Sequence, residues 1–168
     1  SALLPQVSSH LINKGISEVS AAIALSLFAT CGMAGKLIFG ILADRYGSKI
    51  SLIIDLVGQA VFAFLLIYAG AGVSIWFVVP FMGFFLGAFG ALYQLIIMDT
   101  FGLDHFGSIL GVISITNAIS FFAGPIIAGQ SFDITGSYGP AFAITAVIFV
   151  IGALALTLSG GDRWVNSE

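Results

Sequence analysis

The residues able to do chemistry in this 168-residue chain are few, and most are set in apolar surroundings. Lys36 stands out. It lies inside an apolar run eight residues before Asp44, which is about 12 Å along a helix. A lysine at the centre of a bilayer costs on the order of 3 kcal/mol. Two readings follow: an interfacial Lys reaching headgroups or a carboxylate, or an anion site facing a central cavity. Asp55 is the second charged residue within an apolar run. It is a candidate for proton coupling, since intramembrane carboxylates serve proton relays, or a packing or capping group. Tyr93 and Gln94, with Asn117 and Phe121, are a third group. Aromatic rings with a few polar groups suit a small amphiphilic anion; the other reading is that they hydrogen-bond between helices.

The remaining reactive types are isolated. Cys31 is single and apolar in context, so it forms no intrachain disulfide or zinc cluster and reads as a small packing residue. His10 and His105 read as solvated. Asp99 and Asp133 fall at expected helix ends, Asp99 closing an inner end and Asp133 bonding loop backbone at an outer one. There is no His or Asp cluster at helical spacing, no Ser/His pairing and no phosphate-binding Gly-Lys-Ser/Thr loop. No enzyme, metal site or cofactor is therefore expected.

The elements that position these residues follow from composition. Hydrophobic residues make up 59% of the chain and charged residues 8%, with a mean hydropathy of +1.13, against roughly a quarter charged in soluble domains. The apolar residues fall in long runs, and about 18 or more in succession read as a spanning helix. Five spans are expected, at 19–42, 50–69, 73–98, 108–130 and 138–158. The fold class is all-α, a polytopic membrane helix bundle of about five transmembrane helices. The connections carry turn formers: Gly70 and Gly72, Gly102 with Asp104, and Thr135-Gly136-Ser137. Segment 1–18 reads as the end of a preceding helix and its loop, and 19–168 as one helical bundle. Arg45 and Lys49 between the first two spans, and Arg163 near the C-terminus, place the 43–49 loop and the C-terminus in the cytoplasm. The net charge of −3 implies no nucleic-acid partner; the lipid bilayer is the expected partner.

Glycines are abundant, at 21. Gly83, Gly87 and Gly90 in the third span, and Gly111, Gly124 and Gly129 in the fourth, allow close helix packing, or sliding during a transport cycle. Pro125 after Gly124 is expected to kink the fourth span.

The connection between the first two spans reads Gly40-Ile41-Leu42-Ala43-Asp44-Arg45-Tyr46-Gly47-Ser48-Lys49. Asp44 can cap a following helix or pair with a cation, and Gly47 permits a reversal. This stretch resembles the loop signature of the major facilitator superfamily, Gly-x-x-x-Asp-Arg-x-Gly-x-Arg/Lys, matched at Gly40, Asp44, Arg45, Gly47 and Lys49; Ser48 stands where many members carry a second basic residue. A second stretch, Met98-Asp99 with Gly102, Phe106, Gly111, Gly124-Pro125, Gly129, Asp133, Gly136 and Tyr138, is similar to the tenth-to-twelfth helix region of monocarboxylate transporters and oxalate–formate exchangers. The opening, His10-Leu11 through Gly15-Ile16-Ser17 to Ala21-Ala22, is similar to their seventh-to-eighth helix connection.

The resemblance implies that the five spans are the eighth to twelfth helices. The chain is then most of a C-terminal half, partnered by a missing N-terminal half. A first half usually carries an Arg in its fourth helix, and the third span has none. The implied function is secondary transport of a small organic anion, monocarboxylate-like, by alternating access, as symporter or antiporter, possible co-transport of protons included, in the plasma (inner) membrane. Alternatives are a drug or metabolite exporter of the same superfamily and a non-transporting membrane partner. Lys36 matches the position of the family's substrate-binding Arg in the eighth helix. Lys offers a point charge where Arg offers a planar fork. The acidic residue that proton-coupled members place one turn earlier is here Gly32. The eleventh-helix Lys of oxalate exchangers has no counterpart in the fourth span, whose prominent polar residue is Asn117.

Overall fold

The computed structural model describes residues 17–68, 73–136 and 139–159. Of the expected leading segment, residues 1–16 lie outside the described residues, as do Gly70, Gly72, Ser137, Tyr138 and Arg163. Among the described residues the protein is all α. Its helices are α1 (Glu18–Tyr46), α2 (Ser48–Tyr68), α3 (Val73–Phe101), α4 (Phe106–Thr135) and α5 (Gly139–Leu158). Each is long and apolar enough to cross a membrane. A helix satisfies every backbone polar group internally, which hydrocarbon requires.

The helices run further than the apolar runs suggest. α1 continues four residues past the expected end and α4 five. The Asp44–Lys49 connection is therefore not a loop. Asp44 and Arg45 lie in the last turn of α1, and Gly47 alone separates α1 from α2. Gly47 achieves this at φ 88°, with its N–H bonded to the Ala43 carbonyl at 2.9 Å. Only glycine adopts that conformation without strain. Asp99 likewise sits inside the last turn of α3, and Asp133 inside that of α4. α1 begins at Ser17, whose hydroxyl accepts from the Ser20 N–H at 3.3 Å. α4 runs without interruption through Gly124 and Pro125, and α3 through Pro80.

The buried face of α1 is Ala21, Ala24, Phe28, Gly32, Gly35, Phe39 and Ala43, a three- and four-residue spacing. Its exposed face carries Val19, Ile23, Leu27, Met33, Leu37, Ile38 and Ile41, as suits a helix whose outer solvent is lipid. α1 packs chiefly on α3, and α2 on both α3 and α5. Where α1 and α3 cross, the backbones touch. A Cβ on Gly87 would run into the Gly32 backbone, one on Gly83 into the Phe28 backbone, and one on Gly35 into the Phe84 carbonyl. The expected close packing is thus found at Gly83 and Gly87, with partners on α1, but not at Gly90, Gly111 or Gly129, where a Cβ would meet nothing within 4 Å.

Around that crossing lie two packed clusters. One joins Ala24, Phe28, Leu66, Val79, Met82 and Phe142. The other joins Phe39, Leu52, Leu56, Ala88, Leu92 and Ala153. Phenylalanine rings connect three helices: Phe39 to Phe84 and Phe85 at 5.7 Å, and Phe62 to Phe85 at 5.6 Å and to Phe81 at 5.5 Å. The Phe85 ring occupies the space that a Gly58 side chain would need. Such ring pairs contribute about 0.5–1.5 kcal/mol each beyond burial.

Replacing Gly87 by Leu should destabilise the full-length protein by about 1–3 kcal/mol through overpacking, read as earlier loss of the monodisperse peak in a thermal size-exclusion series. Gly111→Ala, where a Cβ meets nothing within 4 Å, should leave the midpoint unchanged or raised. Equal behaviour of the two variants would show that α1 and α3 do not touch at Gly87.

Candidate functional site

A cavity of about 580 Å³ opens beside the α1–α3 crossing. From α1 it is lined by Phe28, Ala29, Gly32, Met33 and Lys36; from α3 by Gly83, Leu86, Gly87, Phe89, Gly90 and Tyr93; and from α4 by Asn117 and Ser120. The helical repeat explains the choice. Ala29, Gly32, Met33 and Lys36 follow at three- and four-residue steps, as do Gly83, Leu86, Gly87, Gly90 and Tyr93. The glycines that let the backbones meet also leave the open volume.

Three of the sequence-derived candidates share this wall: Lys36, Tyr93 and Asn117. Lys36 is exposed, and among the described residues the lining holds no carboxylate. Its ammonium supplies three donors and a positive charge. Tyr93 presents a phenol that donates or accepts, its ring 5.6 Å from that of Phe89. Asn117 presents an amide from α4. Ser120 is less available as a donor, because its hydroxyl donates to the Thr116 carbonyl at 3.0 Å. The remainder is aromatic, aliphatic or glycine backbone. Such a lining is chemically suited to a small molecule with one anionic end and one apolar end.

The other candidates lie elsewhere. Phe121 is on α4, but its side chain lies outside the described residues. Gln94 is exposed and falls about 100° round α3 from Tyr93, away from the lining. Asp55 is fully buried on α2 and does not line the cavity. Gln59 donates to it at 2.6 Å. Gly124 and Pro125 are beyond the lining on α4. In the junction motif, the Arg45 guanidinium stands 5.8 Å from the centre of the Tyr46 ring. Lys49 donates to the Ser159 carbonyl, joining the start of α2 to the end of α5. Asp44 is exposed and neither caps α2 nor pairs with a cation among the described residues. His105 is exposed at the start of α4 and makes no capping bond.

Sequence reasoning missed Phe28, Met33, Leu86 and Phe89 as cavity residues. Helical projection from Lys36 and Tyr93 was the signal that could have found them. It also missed Gln59, whose importance rests on the neighbour that buries with it.

A family model described as the Major Facilitator Superfamily matches residues 1–165. The chain belongs to that superfamily, and its five apolar helices make it an integral membrane protein. Among curated relatives it is similar to monocarboxylate transporter 12 of Xenopus laevis, 27% identical over 154 residues, covering 89% of this chain and 34% of the relative. It is also similar to monocarboxylate transporter 14 of Homo sapiens, 29% identical over 147 residues, covering 85% and 28%. The mouse transporter 14 is 30% identical over 137 residues, covering 79% and 26%. The chain thus spans about a third of the length of the relatives it matches.

The cavity geometry makes a labelling prediction. In full-length protein with Cys31→Ser, a cysteine at Tyr93 should react with a membrane-impermeant thiol reagent, whereas one at Leu92, 1% exposed, should not. Equal labelling would mean that the α3 face is assigned wrongly.

Proposed function

We propose that the full-length protein is a secondary transporter of a small organic anion, monocarboxylate-like, and that this chain supplies the C-terminal half of its helical bundle. The observation that carries the reading is the convergence of Lys36, Tyr93 and Asn117 on one cavity whose wall, Ser120 apart, is otherwise apolar. The superfamily membership and the relatives' names support the same class.

In this reading Lys36 attracts the carboxylate, Tyr93 and Asn117 orient it, and Phe28 and Phe89 cover the hydrocarbon end. A hydrogen bond to a charged group contributes about 1.5–3 kcal/mol. An N-terminal half closes the opposite wall, and the two halves rock about the midplane to expose the site alternately to each side. Where Gly32 meets Gly83 and Gly87 the contact of α1 with α3 is backbone on backbone, which supports small local shifts. Arg45 and Lys49 put the α1–α2 junction on the cytoplasmic side, in the plasma (inner) membrane.

Uptake of labelled lactate, pyruvate and oxalate by the full-length protein in proteoliposomes tests this. Saturable uptake of a monocarboxylate is expected, with Lys36→Ala raising KM about tenfold or more and Lys36→Arg retaining most activity. Uptake indifferent to Lys36→Ala would make Lys36 a snorkelling residue. Failure of every organic anion would favour the exporter or the non-transporting partner.

A further inference from the structure

Away from the cavity, α2 carries a buried polar stripe. Ser48, Ser51, Asp55 and Gln59 are all buried, at 6%, 0%, 0% and 1% exposure, and their spacing of three, four and four residues puts them on one face. The opposite face, Ile50, Ile54, Val57 and Val61, is exposed. Asp55 lies seven residues in from Ser48, about 10 Å along the helix. The stripe starts beside the α1–α2 junction, where the Ser51 hydroxyl donates to the Gly47 carbonyl at 3.0 Å.

At its inner end the hydrogen bonding is incomplete. The Gln59 amide donates to Asp55 Oδ2, while Asp55 Oδ1 and Gln59 Oε1 are buried without a partner. Both orphans are acceptors, so neither can satisfy the other. A buried acceptor left unmet costs about 1–3 kcal/mol. One proton on Oδ1 changes the count, because the carboxylic acid then donates to Oε1 while the amide donates to Oδ2. A ring of two hydrogen bonds between acid and amide would then meet both orphans.

No fixed charge stands against the pair. α5 has no ionisable side chain between Gly139 and Leu158. α3 brings Tyr93, in the cavity wall, and Asp99, which is exposed; α1 brings Glu18, Lys36, Asp44, Arg45 and Tyr46, all exposed, and the half-buried Cys31. On α2 itself, Lys49 is bonded to the Ser159 carbonyl and Tyr68 is exposed. An ionised Asp55 would be a buried charge without a counter-ion, which costs several kcal/mol. Among the described residues no group of three His, Cys, Asp or Glu could hold a metal ion.

We propose that the Asp55–Gln59 pair is a proton-holding site whose occupancy couples proton movement to anion movement. The coupling part rests on the transporter reading above. Leu52 and Leu56, which flank Asp55, belong to the same packed cluster as Phe39, one turn beyond Lys36, and Leu92, next to Tyr93. Rearrangement at the pair therefore reaches the cavity helices through direct contact.

The test uses the full-length protein in proteoliposomes. Infrared difference spectra across a pH titration should show a protonated-carboxyl stretch that is absent in Asp55→Asn and shifted in Gln59→Leu. Asp55→Asn keeps both hydrogen bonds and should fold. It should lose anion uptake driven by a pH gradient while keeping exchange of internal for external anion. Absence of an Asp55 band, or pH-driven uptake surviving in Asp55→Asn, overturns the proposal. Uptake driven by a sodium gradient and not by pH also overturns it, making the pair a cation site. If the wild type moves no organic anion, the transporter reading fails and the coupling with it, while the infrared band alone still decides the proton site.

Discussion

Two helices bring their backbones into contact only where side chains between them are missing, and α1 and α3 meet where Gly32 faces Gly83 and Gly87, Gly83 faces the Phe28 backbone and Gly35 the Phe84 backbone. Between lipid and protein there is little hydrophobic difference to drive such a meeting, so close van der Waals packing must hold the helices together. The phenylalanines around the crossing then fill the space on one side, and the same missing side chains leave a cavity on the other. Lys36 and Tyr93 reach that cavity because each continues the glycine face of its own helix by one turn.

The two polar sites are built differently. The cavity is open, with an exposed cation and hydrogen-bonding groups drawn from three helices. The α2 stripe is closed, with all four residues on one helix and buried against neighbours that offer little polarity. α5 packs on α2 with a sequence almost wholly apolar, which is why Asp55 has only Gln59 to bond. Hydroxyls elsewhere in the bundle avoid this isolation by donating to carbonyls one turn back, as Ser26, Thr30 and Thr145 do at 2.9–3.0 Å.

The spans were legible in the sequence because hydrocarbon thickness sets a length that composition must meet. Their ends were not, since helices continue through polar residues such as Asp44 and Asp99 that have left the hydrocarbon and need no loop. Nor were the buried faces visible as an apolar stripe. Ile23 and Leu27 point outward while Ala24 and Gly32 point inward, and Phe28 and Phe39 are buried while Ala29 and Ala34 are exposed, so neither polarity nor size alone separates the faces. Lys36, Tyr93 and Asn117 stood out individually by their polarity, yet their convergence depended on which helices are neighbours, which no local pattern records. Gln59 lies four residues after Asp55, one turn along α2, and its part was invisible until its burial beside Asp55 was seen.

The cavity wall has an electrical consequence. Among the described residues it carries one ammonium and no carboxylate, so this chain brings a single positive charge to the wall. A charge moved across the full field is worth about 2.3 kcal/mol per 100 mV. A bound monovalent anion cancels it, and the occupied site becomes silent to the potential. In a carrier built on this wall and on the Asp55 proton site, a released proton leaves a carboxylate that offsets Lys36, so membrane voltage acts as weakly on the vacant form as on the filled one.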